Sequence, residues 1–333
     1  MKLSLFDYPL DRERIAQFPL EERDSSRLLV LHRSTGEIDH YMFKDIVNFF
    51  TAGDILVLND TKVVPARLYG KKLTGGKVEV LLVKKYENNI WSALVKGIKE
   101  GTVLFTNGCR AEVKRGGAGT FITFTDCQAE ALMKKIGRMP LPPYIKRSSC
   151  DNDKYRYQTV YAKEEGAIAA PTAGLHFTQG LLKNVENKGV RIQKITLHVG
   201  WGTFKPITSE IIENHKMEEE EYSISPKTAK LCQDAKIQGG KVIAVGTTVV
   251  RSLESAYSEG QIREGSGTAS LFIYPGYRFN VINAFITNFH LPRSSPLMLT
   301  AAFAGSDLLK KAYAEAQARH YRFYSYGDAM LIL

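Results

Sequence analysis

The stretch from Gly166 to Thr178, G-A-I-A-A-P-T-A-G-L-H-F-T, decides how the rest of the chain is read. Ala167 to Ala170 read as a short buried strand that stops at Pro171. The chain then turns through Thr172, Ala173 and Gly174 and presents His176 and Thr178 just ahead of a helix carrying Leu181, Leu182 and Val185 and ending at Gly189. Small residues on both sides let a second backbone or a ligand come close, and a helix beginning there aims its unpaired N-terminal amides back at the turn. Taken alone, the segment reads first as a strand-to-helix connection with a structural histidine. The same layout recurs along the chain, and the recurrence points to a site.

Outward from that stretch, Arg191 to Leu197 reads as a strand ending at His198, Gly200, Trp201, Gly202 and Thr203. Lys241 to Val245 ends at Gly246, Thr247 and Thr248, followed by a helix with Arg251 and Glu254 one turn apart. Leu271 to Tyr274 ends at Pro275 and Gly276. Val281 to Thr287 ends at Asn288, Phe289 and His290, and the chain then turns through Pro292 to Pro296. A last amphipathic helix (Leu308, Leu309, Ala312, Tyr313, Ala316) runs through a basic and aromatic segment, Arg319 to Tyr326, and Asp328 into a final apolar strand. Near the start, Leu28 to His32 and Ile38 to Phe43 flank a Ser-Thr-Gly turn as a hairpin. A short helix over Phe43 to Phe50 follows, and then a strand over Asp54 to Leu58 ending at Asn59, Asp60 and Thr61. Strands alternating with helices give an α/β fold.

Between about Ala66 and Cys150 the texture changes. Short alternating runs (Arg67 to Lys72, Val78 to Lys85, Trp91 to Val95, Thr102 to Phe105, Ala111 to Lys114, Thr120 to Thr125) are separated by Gly-Gly, Asn-Asn and Asn-Gly turns. That spacing predicts a small antiparallel barrel, followed by a helix over Gln128 to Ile136. Gly116-Gly117-Ala118-Gly119 is no phosphate loop, because strand-like Phe121 to Phe124 follows it and not a helix. The expected organisation is a discontinuous α/β catalytic domain, residues 1–65 and 150–333, with a β-barrel domain inserted at 66–149.

The 333 residues carry a formal net charge of +10, which favours a polyanionic partner, with 44% hydrophobic and 24% charged residues, ordinary for a folded chain. Cys109, Cys127, Cys150 and Cys232 show no metal-like spacing and read as isolated, reduced thiols of a cytoplasmic protein. Asp7 and Asp11 interrupt the N-terminal apolar residues before a secretory core forms, and no run approaches the ~20 apolar residues of a membrane span. No metal motif is present.

In open α/β sheets ligands bind beyond the carboxyl ends of the strands. Asn59, Thr172, His176, His198, Thr247, Thr248, Asn288 and His290 would all lie there, and imidazoles near neutral pH suit acid/base work. Thr247 and Thr248 before a helix offer hydroxyls and amides to a carboxylate, ribose or phosphate, with Arg251 as a bidentate partner. Arg251 and Glu254 also read as an exposed helix pair. The acidic run Glu218 to Glu221 reads as a solvated face, with Glu220 as the member that would turn into the cleft. Arg319, Arg322 and Tyr324 read either as phosphate and base contacts or, for the aromatic ring, as core.

Several segments together resemble the S-adenosylmethionine:tRNA ribosyltransferase-isomerase family of the queuosine pathway. They include F-D-Y-P-L (6 to 10), N-D-T-K-V-V-P-A-R-L (59 to 68), P-L-P-P-Y-I (140 to 145), A-A-P-T-A-G-L-H-F-T (169 to 178), L-H-V-G-W-G-T-F (197 to 204), A-V-G-T-T-V-V-R-S-L-E (244 to 254), T-N-F-H-L-P (287 to 292) and Y-R-F-Y-S-Y-G-D-A-M-L-I (321 to 332). Two places depart from the family pattern: Glu218-Glu219-Glu220 stands where His-Ser-Glu is usual, and Pro296 where an apolar residue is usual. The resemblance implies that S-adenosylmethionine is a substrate that gives up its ribose, with no separate cofactor. The acceptor it implies is a tRNA carrying 7-aminomethyl-7-deazaguanine at the wobble position, and the products are epoxyqueuosine, adenine and methionine. Absence of a G-x-G-x-x-G segment agrees with a non-methyltransferase mode of holding the sulfonium. On this resemblance His176 or His198 would be the base and His290 or Asp328 would assist proton transfer. Thr172, Thr247, Thr248, Arg251 and Asn59 would hold the methionine or ribose, and Glu220 would neutralise the sulfonium. Arg319, Arg322 and Tyr324 would contact RNA, and the enzyme would act as a monomer away from membranes.

Overall fold

The computed structural model describes residues 1–106, 108–117, 119–200, 202 and 207–333. It divides into two compact units. One comprises Met1–Lys62, Pro143–Arg147 and Gln158–Leu333, and the other Val63–Pro142 and Ser148–Tyr157. Trp201 and Thr203, read as the end of a strand, and Ala118 of the Gly-Gly-Ala-Gly run lie outside the described residues.

In chain order the first unit opens with strands β1 (Arg27–Leu31) and β2 (Ile38–Met42), a 3-10 turn over Phe43–Phe49, and β3 (Ile55–Asn59), which leads into β4 (Thr61–Val63). The second unit holds β5 (Arg67–Lys72), β6 (Lys77–Lys85), β7 (Ile90–Lys96), β8 (Gly101–Phe105), β9 (Arg110–Gly116), β10 (Gly119–Phe124), and helices α1 (Ala129–Ile136) and α2 (Asp153–Arg156). The first unit resumes with β11 (Glu164–Ala167), a 3-10 turn over Thr172–His176, α3 (Gln179–Asn187), β12 (Arg191–Leu197), β13 (Glu220–Ile224), α4 (Pro226–Ile237), β14 (Val242–Val245) and α5 (Thr247–Ser255). It closes with the small hairpin β15 (Tyr257–Ser258) and β16 (Gln261–Ile262), then β17 (Gly265–Ala269), β18 (Ala284–Asn288), α6 (Ser295–Ala304), α7 (Ser306–Ala318) and β19 (Ala329–Ile332).

Among the described residues the first unit is built on a nine-stranded mixed sheet in the order β17-β13-β12-β3-β14-β18-β19-β1-β2. Strands β12, β3, β14 and β18 run parallel, β19 returns antiparallel to β18, and β1 runs parallel to β19. Every residue of β3, β14, β18 and β19 is buried. Strands covered on both faces need continuous apolar runs and not alternation, and that is why they stand out in the sequence. Successive side chains point to opposite faces. Leu29, Val57, Ala244 and Phe285 therefore join one core with α5, α6 and α7, and Leu28, Leu56, Ile243 and Ile286 join the other with α3 and the 3-10 turn at Phe43. Truncating a fully buried strand leucine such as Leu56 to Ala costs about 2–5 kcal/mol.

The second unit contains a closed six-strand antiparallel barrel, β10-β7-β6-β5-β8-β9, as the alternating runs predict. Alternate residues such as Val78, Val80, Val103, Ala111, Val113 and Ile122 are buried inside it.

Four expectations are corrected. The strand near the opening stretch is β11, over Glu164–Ala167, paired with β4 in a separate two-stranded ladder and not in the main sheet. Leu271 to Tyr274 is not a strand, and the edge is taken by β17 instead. The turn expected over Pro292 to Pro296 contains the start of α6: Ser294 caps the helix, and Pro296 sits in the first turn, where a missing N–H costs nothing. Cys109 and Cys127 are disulfide-bonded and not isolated thiols. They flank β9 and β10, whose pairing of Ala111 with Phe124 brings the two cysteines to the same end of the ladder.

Candidate active site

The sheet topology puts the carboxyl ends of β3, β12, β14 and β18 on one edge. Because β19 and β1 run the other way, their first residues begin at that same edge, with Asn288 opposite Ala329 and Leu28 opposite Ala329. A cleft partly open to solvent lies there. Thr172, Thr247, Thr248, Asn288, His290 and Tyr324 line it together with Gly246, Tyr144, Ser294 and Ser325.

Two helices open onto this cleft. Gly246 leaves β14 at φ 89°, a left-handed conformation that glycine tolerates, and starts α5 at Thr247 and Thr248. Ser294 and Pro296 start α6 on the other side. The first amides of α5, at Thr247 and Thr248, have no side-chain cap and carry the positive end of the helix dipole, which suits a carboxylate, whereas at the start of α6 Pro296 has no N–H and the Leu297 amide is taken by Ser294 Oγ.

His290 is the one histidine on the cleft among the described residues. Its Nε2 lies 2.6 Å from the Thr287 hydroxyl, its backbone N–H donates to the Tyr313 hydroxyl at 2.8 Å, and its carbonyl accepts from Tyr8. Burial pushes its pKa down to about 3, so it is neutral at pH 7.

Behind the cleft stands a buried chain of polar groups. The Ser26 hydroxyl lies 2.7 Å from His176 Nδ1, and Asn288 Nδ2 donates to His176 Nε2 at 3.1 Å and to the Tyr324 carbonyl at 3.2 Å. Because Nε2 accepts, the proton of neutral His176 sits on Nδ1 and is donated to Ser26. Burial, then the charges of Arg322 and Arg23, push the pKa of His176 down to about 3. Phe43 stacks on the ring with centroids 4.9 Å apart. The Asn288 amide cannot turn over, since that would set its oxygen against the Tyr324 carbonyl. Its Oδ1 is buried without a protein partner among the described residues, whereas the Tyr324 hydroxyl, also buried, lies against the Tyr8 hydroxyl. Orphaned polar atoms of this kind cost stability unless a ligand or water meets them.

Other residues singled out from the sequence lie elsewhere. His176 does not line the cleft, and both its ring nitrogens are engaged, so it is placed to orient Asn288 and not to take a proton from a ligand. His198 faces a separate groove with Thr196, Ser223, Ser266 and Thr268, its Nδ1 2.8 Å from the Thr61 hydroxyl. Burial lowers its pKa, against the raising influence of Glu221, Glu164 and Asp60. Asn59 is wholly buried: its Nδ2 donates to the Leu197 carbonyl at 3.0 Å and to Thr248 Oγ1 at 3.2 Å, so it supports Thr248 from behind.

Glu220 and Arg251 form a buried ion pair, 5% and 6% exposed, with Glu220 also accepting from the Gly200 amide and Arg251 donating to the Ala269 carbonyl at 2.6 Å. Each therefore compensates the other's charge, and neither the sulfonium role for Glu220 nor the exposed-pair reading of Arg251 fits. Arg251 lines a smaller adjoining cleft that shares Thr247, Thr248 and Pro296 with the larger one. Glu254 is not its partner: its carboxylate accepts from the amides of Asn280, Val281 and Ile282.

The two oxygens of Asp328 accept from the amides of Arg27 at 3.0 Å and Arg322 at 2.8 Å, which makes it the clamp at the start of β19 and not a proton shuttle. Burial raises its pKa, opposed by those hydrogen bonds. Of the C-terminal segment, Tyr321, Phe323, Tyr324, Ser325 and Tyr326 are buried, so they are not free to stack on bases. Arg322 is tied to the Phe18 carbonyl, and Arg319 is exposed and paired with Glu315. Among the described residues no group of three or more His, Cys, Asp or Glu comes together to hold a metal ion.

Sequence reasoning missed Ser294, Tyr144 and the Tyr324 hydroxyl as parts of this space. A serine followed two residues later by proline and then an apolar run is a helix-start signal that would have exposed the second helix end.

The chain matches the family described as queuosine biosynthesis protein over residues 3–332. It is 50% identical over 338 residues to S-adenosylmethionine:tRNA ribosyltransferase-isomerase of Thermotoga petrophila, with all of both chains covered. It is 49% identical over 342 residues to the protein so named in Geobacter sulfurreducens, again with all of both covered. The crystal structure of S-adenosylmethionine tRNA ribosyltransferase from Thermotoga maritima matches with a TM-score of 0.58 and 38% identity, covering 99% of this chain and 100% of that one.

Proposed function

The chain belongs to the queuosine biosynthesis protein family, and on that premise we propose how its cleft carries out the family's reaction. The protein is a tRNA-modifying enzyme of queuosine synthesis, an S-adenosylmethionine:tRNA ribosyltransferase-isomerase. The ribosyl group of S-adenosylmethionine passes to the aminomethyl group of 7-aminomethyl-7-deazaguanine in the tRNA and is isomerised to the epoxycyclopentanediol of epoxyqueuosine. Adenine and methionine leave. The sulfonium compound is consumed as a substrate, and no further cofactor takes part.

The observation that carries the site assignment is the convergence of the uncapped N-terminus of α5, His290 and the unpartnered Asn288 Oδ1 on one cleft. The methionine carboxylate sits at the amides of Thr247 and Thr248. Thr172 and the Tyr324 hydroxyl face the sugar, and Asn288 Oδ1 accepts from one of its donors. His290, neutral and with its Nε2–H directed to the Thr287 hydroxyl, takes onto Nδ1 the proton from the ribose carbon beside the sulfonium, whose positive charge stabilises the carbanion. General base help contributes roughly 10²–10⁴-fold, so orientation of the substrate at the α5 N-terminus supplies much of the rest. Arg319 is the C-terminal residue left at the surface for RNA. A tRNA substrate supports a cytoplasmic site of action, and we take the enzyme to act as a monomer. Among the described residues no helix is long and apolar enough to cross a membrane.

The test is solvent-hydrogen exchange at that ribose carbon, together with adenine release that depends on the modified tRNA. Exchange is expected to vanish in His290→Ala and persist in His198→Ala. Unchanged exchange in His290→Ala removes it as the base, and adenine release without RNA removes the transferase reading.

A further inference from the structure

We propose that one rim of the barrel is a phosphate-binding surface that grips the RNA backbone of the tRNA substrate. The inference rests on the tRNA-modifying reading and adds the surface that holds the polyanion.

Charge is distributed unevenly along the chain. The second unit, Val63–Pro142 with Ser148–Tyr157, contains sixteen Lys and Arg against eight Asp and Glu, and so holds most of the chain's net charge of +10. Within the barrel, strands alternate in direction, so the turns β5–β6, β7–β8 and β9–β10 all fall at the same end. Lys71, Lys72, Lys77, Lys96, Lys99, Lys114 and Arg115 sit in or beside those three turns, against Glu100, which lines the same groove, and Glu79, which stands opposite Lys96 and is paired with Arg67.

None of these seven cations makes an ion pair among the described residues, whereas Arg67, Lys85 and Arg110 elsewhere in the barrel pair with Glu79, Glu130 and Asp126. Lys71 and Lys77 are direct cross-strand partners. Like charges set opposite one another destabilise a ladder, so the arrangement makes sense where an external anion neutralises both. Lys72, Lys99 and Arg115 line an open groove at this end together with Leu73, which is 70% exposed, and Ile98. A groove of unpaired cations with an apolar lip fits a phosphate backbone whose bases project to one side.

The experiment uses the full chain and the tRNA carrying 7-aminomethyl-7-deazaguanine, with Kd measured between 50 and 200 mM salt. Wild type is compared with Lys72→Gln/Lys99→Gln/Arg115→Gln and with a control of exposed lysines in the other unit, Lys227→Gln/Lys230→Gln. Removing three phosphate contacts lowers the slope of log Kd against log salt by roughly 2, at about 0.7–0.9 per contact, and weakens binding at least tenfold at low salt. The control keeps the wild-type slope. A single Lys99→Glu reversal, at an exposed turn position, shifts Kd in the same direction and serves if the triple variant folds poorly. Equal affinity and slope in wild type and both rim variants overturns the rim, as does an equal loss in the control. Loss of RNA-dependent adenine release in the wild type instead overturns the reading on which the rim rests.

Discussion

Glu220 and Arg251 offer a quantitative test of where charge is compensated in this fold. The pair is buried between β13, α5 and the end of β17, with Gly200 N–H and the Ala269 carbonyl holding the remaining atoms. Glu220→Gln preserves an acceptor for Gly200 but leaves the guanidinium without its counter-charge, and breaking a buried pair by removing one partner costs about 3–5 kcal/mol. For a cooperative unit of roughly 240 residues at about 2.1 cal/mol/K per residue, the unfolding entropy is about 0.5 kcal/mol/K, so the melting temperature should fall by roughly 6–10 °C. The double variant Glu220→Leu/Arg251→Met removes both charges and should recover most of that loss, because an apolar pair of similar volume is commonly neutral or better than a buried ion pair. Differential scanning calorimetry at one scan rate, on wild type, Glu220→Gln, the singles Glu220→Leu and Arg251→Met, and the double variant, gives the coupling energy. A melting point for Glu220→Gln within ~1 °C of wild type, or a double variant no better than the sum of the singles, refutes the mutual compensation. It would return Glu220 to the role of a free carboxylate for the sulfonium.

His176 and His290 both titrate near pH 3 in the folded chain against an ordinary value near 6.5. Their contribution is complete above pH 6.5 and is lost as pH falls toward 3, because the unfolded chain takes up protons that the folded chain refuses. The slope is up to about 1.4 kcal/mol per pH unit per histidine. Urea titrations at pH 7 and pH 5 should show it, and a His290→Asn variant with an undiminished slope would contradict it. His176→Ala removes the acceptor that steadies Asn288, so adenine release should fall at least tenfold further than in His198→Ala, whose residue lies in a separate groove; equal losses would dissolve that distinction. Thiol titration of denatured, unreduced protein should find two reactive thiols, Cys150 and Cys232, and reduction should destabilise the barrel by about 3 kcal/mol for a loop of this length. Four thiols before reduction would show that the bridge does not form.

What local pattern encodes was legible in the chain. The apolar runs of β3, β12, β14, β18 and β19, the helix starts after Gly246 and Thr178, and the six alternating barrel runs follow from burial and turn chemistry that act within a few residues. They fix an α/β body with a small antiparallel barrel, and the idea that polar groups gather at strand ends follows from the same pattern. Which of those groups meet depends on strand order and direction, and no short segment carries that information. His198 and His290 both follow a strand, yet β12 lies three strands away from β18, so they face different spaces. Glu220 and Arg251, 31 residues apart, neutralise each other only because β13 lies beside β12 with α5 packed beneath. Tyr324 turned inward because the return of β19 antiparallel to β18 folds its segment over Asn288. Cys109 and Cys127 meet through the β9–β10 ladder. Long-range pairing chose the partners, and with them the chemistry each side chain is able to perform.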